Sequence, residues 1–172
     1  MPYKTKTWKL AVSGVFAAMI AIATLLAVPV AGGTGYIHAA DSLIFLLAAT
    51  AGGGYGALAA GLGSSLADLI KGYTIYALPS FFIKALMTVI AAAALGKPGK
   101  NGYSTGRLIF AFTLSSLFMQ AGYFAFEFLM YGFAGLVPLL VNMIQSAAGI
   151  PLGIILYKLL HTKITPTGAE AL

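Results

Sequence analysis

No cysteine occurs among the 172 residues, which removes disulfide frameworks, thiol chemistry and cysteine metal sites together. Imidazole is almost as scarce: His38 and His161 are the two histidines, and neither belongs to an HExxH pair or another run with metal-ligand spacing. No metal site and no thiol-based catalysis is therefore expected. There is no GxxxxGK[ST] phosphate loop, so the chain carries no ATP-hydrolysing engine of its own. Charge is the other shortage. Charged residues make up 8% of the chain and hydrophobic ones 60%, with mean hydropathy +0.94, whereas a soluble domain is about one-quarter charged. Such a composition is written for a bilayer. The net charge of +6 does not mark a nucleic-acid patch, because the cations lie in tails and loops between apolar runs, where they report topology.

What the sequence has in quantity is apolar helix. The hydrophobic runs predict an all-α integral membrane protein, one domain over residues 1–172. Its six transmembrane helices are placed at about 8–30, 39–51, 55–70, 75–95, 105–131 and 136–162. The first run is too long for the apolar part of a signal peptide, and the second is short for a full crossing. Breakers mark the joints: Pro29 with Gly32-Gly33, Gly52-Gly53-Gly54, Lys71-Gly72, the polar run Gly96 to Gly106, and Gly132 to Gly135. With an even number of crossings, Lys4, Lys6, Lys9, Lys97, Lys100, Arg107, Lys158 and Lys163 collect on one side and Lys71 on the other. By the positive-inside rule both termini are cytoplasmic, in a multi-pass membrane protein.

On that topology the intramembrane polar residues fall at one depth. Asp41, Asp68 and Glu127, three of the four acids, lie on the outer half of their helices, and Lys84 lies within the fourth. A charge at membrane depth costs a few kcal/mol or more and faces a partner or a polar cavity. Asn142 and Gln145 share a face by their i, i+3 spacing, as do Tyr123 and Glu127 at i, i+4, with Gln120 one step further along. Groups from several helices at one level predict an outward-facing pocket for a small hydrogen-bonding solute, with Tyr36, Tyr73, Tyr76, Phe81 and Tyr123 supplying rings. Plainer readings stand beside this one. Asp41 is placed to cap helix two, Asp68 to pair with Lys71, Lys84 with Glu127, and Asn142 and Gln145 to hold helices together. Helix one carries a small-residue face, Ala17 and Ala21 with Gly14 and Ala18 one step round, suited to close packing. Gly56, Ala60 and Ser64 form a second such face, leading to Asp68, and are read as packing within the bundle.

Nearly the whole chain, Thr7 to Lys163, resembles the S components of energy-coupling factor transporters, the small vitamin-binding subunits. The resemblance is carried by GVFAAMIAIATLL, the glycine-rich loop before YIHAADSL, the run GSSLADLIKGYTIYALPSFFIKAL, GYFAFE and VPLLVNMIQSAAGIPLG. Within that family it looks most like members assigned to hydroxymethylpyrimidine or pyridoxine-type compounds. The resemblance implies a non-enzymatic substrate-binding subunit that works with a transmembrane coupling subunit and two ATPases. ATP and magnesium are then used by those partners, and this chain carries no cofactor. It further implies that Ala17 and Ala21 face the coupling subunit and that the loop Ala31 to His38 covers the ligand. Lys84, Glu127, Asn142, Gln145, Tyr123, Asp68, Asp41, His38 and Tyr36 are the expected substrate contacts. Two other classes remain open: an intramembrane enzyme using Asp41, Asp68 and Lys84 as acid and base, and a small channel or structural membrane protein.

Overall fold

The computed structural model describes residues 6–29 and 36–164. Six α-helices account for most of them: α1 (Lys6–Leu25), α2 (Ala40–Ala51), α3 (Gly53–Lys71), α4 (Thr74–Leu95), α5 (Thr105–Tyr131) and α6 (Leu136–Ile164). Two strands of two residues each, β1 (Val28–Pro29) and β2 (Tyr36–Ile37), pair antiparallel between α1 and α2. The apolar run that predicts helix to residue 30 therefore ends at Leu25. Pro29 has no amide proton to continue the helix, and the chain turns into the short ladder instead.

Glycine sets the remaining joints. Gly72 closes α3 in the left-handed region at φ 84°, and its amide, with that of Tyr73, bonds back to the last carbonyls of the helix, an ending that suits glycine because it has no Cβ to clash there. Ser104 opens α5 by accepting a bond from the Arg107 amide. A single turn of 3₁₀ helix, Gly132–Gly135, joins α5 to α6. Pro138 sits in the first turn of α6, where its missing donor costs nothing. Among the described residues α4, and α5 running on into α6, are long and apolar enough to cross a membrane; α1 from Leu10 and α2 are shorter apolar helices. At 1.5 Å per residue the twelve residues of α2 reach about 18 Å, well short of a hydrocarbon core.

The helices close into a ring in the order α1, α3, α4, α5, α6, α2, and α2 also leans across to touch α4. The core lies along α2: Ile44, Phe45 and Leu47 are fully buried, and Phe45 stacks on Phe112 of α5 with ring centroids 4.5 Å apart. Outward faces of α3 and α4 remain apolar, with Leu58, Leu62, Leu66, Leu78 and Phe82 exposed. That is the pattern of a bundle whose surface is not meant for water.

The tightest helix contact is α1 on α3. A Cβ built at Gly63 would stand 2.5 Å from the Ala17 carbonyl oxygen and 3.0 Å from the Ile20 side chain, so the two backbones meet where α3 has no side chain. The small face of α1 is consequently divided. Ala21 is buried and Ala17 packs against the core, while Gly14 and Ala18 stay exposed. Half of the face expected to meet a partner is therefore used within the chain. The Gly56, Ala60, Ser64 and Asp68 face of α3 is buried throughout.

Candidate functional site

One end of the ring gathers the polar groups, because four helix ends converge there: the end of α3, the start of α4, the end of α5 and the start of α6. Between them lies a cavity of about 450 Å³ whose wall includes Asp68, Ser80, Lys84, Tyr123, Glu127, Asn142 and Gln145, with His38 from the connection before α2. Tyr73, Tyr76 and Tyr131 add rings. The volume is within the range of pockets that enclose a small ligand. Basic side chains gather at the far end, where Arg107 bonds the Lys97 carbonyl and Lys158 donates to Thr105.

At the inner limit of the cavity Lys84 donates to Asp41 at 2.5 Å, the two side chains being 3% and 1% exposed. Asp41 does not line the cavity; it stands behind the ammonium. Gln145 Nε2 donates to the other carboxylate oxygen at 2.7 Å, and Gln145 Oε1 in turn accepts the His38 amide at 3.3 Å. The Lys84 ammonium also lies 2.9 Å from the Met119 sulfur and 5.6 Å from the centre of the Tyr123 ring. A charge pair this deep is tolerated only when its remaining valences are hydrogen-bonded, and the Gln145 amide fills that role for Asp41. The contact between α2 and α4 is what brings the pair together.

This arrangement corrects two of the plainer readings. Asp41 is not the cap of α2: the cap position is Ala39, with no side-chain bond, and the Ala40 amide donates instead to His38 Nδ1 at 3.2 Å. Nor is Lys84 the partner of Glu127. Glu127 is 5% exposed and its Oε2 has no hydrogen-bond partner. Lys71 and Asp68 do feel each other's charge. Among the described residues each of the other two acids thus has a nearby cation, and Glu127 has none.

Of the other expected contacts, Asn142 and Gln145 line the cavity together, as their spacing requires. Tyr123 lines it and donates to Ser80 Oγ at 2.9 Å. Gln120 turns away from the cavity to donate to Ser146, and Phe81 packs against Gly61 of α3. The side chain of Tyr36 and the glycine-rich segment 30–35 lie outside the described residues. Ser80 and Tyr131 were not singled out from the sequence. A lone serine or a terminal tyrosine in an apolar run carries no signal, although Ser80 does precede Lys84 by one helical turn.

His38 lies outside the spanning helices. Burial lowers its imidazole from the ordinary 6.5 to about 4, the nearby Lys84 and Lys71 charges acting in the same sense and Asp41 against them. It is therefore neutral in the folded protein, as its acceptor role toward Ala40 requires. The unfolded chain binds this proton more readily, so stability attributable to His38 is complete above about pH 6.5 and is lost as pH falls toward 4. Thermal melts across pH 7 to 4 are expected to fall more steeply for the native protein than for His38→Gln.

The residues 4–162 match the family model described as ECF-type riboflavin transporter, S component. The chain is also similar to a protein of Pyrococcus woesei described as an uncharacterized protein in gap 3'region, 33% identical over 143 residues, or 83% of this chain and 93% of that one. A match over nearly the whole length identifies a membrane-embedded, substrate-binding subunit of a vitamin transporter, not an enzyme, and the chain belongs to the ECF-type riboflavin transporter S component family.

Proposed function

We propose that this chain captures a water-soluble heteroaromatic vitamin or vitamin precursor from outside the cell and delivers it across the membrane with a coupling subunit and two ATPases, which use the ATP and magnesium. In this reading all six helices are membrane segments, both termini are cytoplasmic, and the cavity opens outward. The observation that carries it is the convergence of Lys84, Glu127, Asn142, Gln145, Tyr123 and His38 around one cavity at the end of the ring opposite the Lys97, Arg107 and Lys158 cluster. Positive charge marks the cytoplasmic end, so the cavity belongs to the external one. The tyrosines supply stacking faces and the amides, hydroxyls and carboxylates supply hydrogen bonds in few, fixed directions, the usual make-up of a site for a flat polar ring.

Hydroxymethylpyrimidine or a pyridoxine-type compound is the first candidate, its ring substituents complementing Glu127, Asn142 and Gln145. Riboflavin is the second, favoured by the description of the matching family and by a cavity of about 450 Å³, which leaves room beyond a single ring. Exposed Gly14 and Ala18 are the part of the α1 small face open to the coupling subunit. Mass spectrometry of small molecules co-purifying with the detergent-solubilised chain tests the reading. A vitamin or precursor of this class recovered in stoichiometric amount supports it, and recovery of lipid alone counts against it.

A further inference from the structure

The end of the ring opposite the cavity is charged with one sign. Lys97, Lys100, Arg107 and Lys158 are all exposed there, whereas Asp41, Asp68 and Glu127 belong to the cavity end and the fourth acid, Glu170, lies outside the described residues. The cations also stand on a fastened platform. Between α4 and α5 the chain folds back through paired bonds of Gly99 with Gly102, and Tyr103 donates from its hydroxyl to the Gly96 carbonyl at 2.8 Å and from its amide to Tyr157 Oη at 3.1 Å. The Arg107 guanidinium donates to the Lys97 carbonyl at 3.2 Å and lies 5.8 Å from the centre of the Tyr103 ring. From the neighbouring helix, Lys158 donates to Thr105 Oγ1 at 2.5 Å. Arg107 of α5 and Lys158 of α6 are therefore both fixed at the first turn of α5.

What lies beside these charges decides what they fit. Phe110 follows Arg107 by three residues on α5, and Ile155 precedes Lys158 by three on α6, with Leu159 next to it; all three apolar side chains are exposed. Residues three apart share a helix face, so each cation sits at the end of an apolar strip, and α5 and α6 pack side by side. We infer that the start of α5 and the end of α6 form a binding site for an anionic phospholipid, its phosphate held by Arg107 and Lys158 and its acyl chains lying along Phe110, Ile155 and Leu159. A guanidinium offers paired donors to phosphate oxygens and an ammonium adds a point charge. Cations at the membrane surface gain from a headgroup with net negative charge and little from a zwitterionic one. Lys97 and Lys100 on the connecting loop strengthen the local positive field. An acidic protein face would answer the charges but leave the apolar strips unused, whereas a molecule with an anionic head and hydrocarbon tails answers both. The inference goes beyond vitamin capture and does not depend on what enters the cavity.

The test is native mass spectrometry of the purified chain in neutral detergent, with melting temperature as a second readout, after addition of dioleoyl phosphatidylglycerol, dioleoyl phosphatidylcholine or glycerol phosphate. Phosphatidylglycerol is expected to be retained about fivefold or more over phosphatidylcholine at equal concentration and to raise the melting temperature, while glycerol phosphate, which has the head without the tails, does neither. Arg107→Gln and Lys158→Gln should each cut the preference for phosphatidylglycerol about fivefold; both side chains are exposed, and either variant suffices should the other not fold. Lys6→Gln removes the same charge from α1, which packs on α3 and α2, and should leave the preference intact. Equal retention of the two lipids by the native chain overturns the inference and leaves these cations to topology or to an acidic protein face. A loss as large in Lys6→Gln as in Lys158→Gln overturns it in favour of diffuse surface charge. Stabilisation by glycerol phosphate as great as by the lipid overturns it in favour of a site for free phosphate. Vitamin capture stands or falls separately from each of these results.

Discussion

Replacing Lys84 by methionine is expected to destabilise the protein by about 3–5 kcal/mol, the usual penalty for stripping one partner from a buried ion pair. The reason lies in what is left behind. Asp41 is 0% exposed, and with the ammonium gone only the Gln145 amide would face its carboxylate. Asp41→Asn should be damaging in the same direction, because the Lys84 ammonium then has a neutral amide and the Met119 sulfur for company. The double variant, Asp41→Asn with Lys84→Met, removes both charges together and should recover a large part of the loss. A coupling between the two positions well above 1 kcal/mol is expected, since residues in direct contact are not additive. Thermal unfolding in detergent of the native protein, the two single variants and the double variant checks this, and additive single effects would mean that the pair contributes nothing as a pair.

A second large effect is expected at Gly63. Even a methyl group there would fall 2.5 Å from the Ala17 carbonyl oxygen, and a backbone atom cannot rotate aside as a side chain can. Gly63→Ala should cost about 1–3 kcal/mol by forcing α1 and α3 apart, and Gly63→Val should prevent the bundle from forming. Gly54, two residues into α3 and with nothing within 4 Å of its built Cβ, is the control. Gly54→Ala should be neutral or slightly stabilising, because alanine is the better helix former. Melting temperature and recovery of folded protein from membranes read both. Equal tolerance at Gly63 and Gly54 would show that the close approach of α1 and α3 is not needed.

The two cases mark what a one-dimensional reading captures. Asp41, Asp68, Lys84 and Glu127 are legible in the sequence because a charge inside an apolar run is costly wherever the run is buried, so depth alone picks them out. Their pairing is not legible. Position along a helix gives height in the bundle and, modulo 3.6, direction around its own axis, but which neighbour stands in that direction depends on the ring order. The contact of α2 with α4 gives Lys84 to Asp41 and, among the described residues, leaves Glu127 without a cation. The same limit applies to the small-residue face of α1. In a soluble protein the polar side of a helix shows which way is out, whereas in lipid both directions are apolar. Nothing in the sequence of α1 names Gly63 of α3 as the neighbour of Ala17 and Ile20. The contacts of His38 are hidden for a different reason. Its ring meets the Ala40 amide two residues on, but the sequence does not name Gln145 as the partner of its own amide, because that contact, 107 residues apart, exists only once α6 packs beside the start of α2.

Vitamin capture depends on the cavity being a binding site and not a by-product of packing. The most direct measurement is calorimetric titration of the purified chain, without coupling subunit or ATPases, with hydroxymethylpyrimidine, pyridoxine and riboflavin. One of these compounds is expected to bind with a stoichiometry of one per chain, and Asn142→Leu, which removes a cavity-lining amide without touching the Asp41 and Lys84 pair, should weaken it about tenfold or more. A folded chain that binds none of the three, or that binds one equally well with Asn142→Leu and Glu127→Leu combined, would contradict the assignment of this cavity as the capture site.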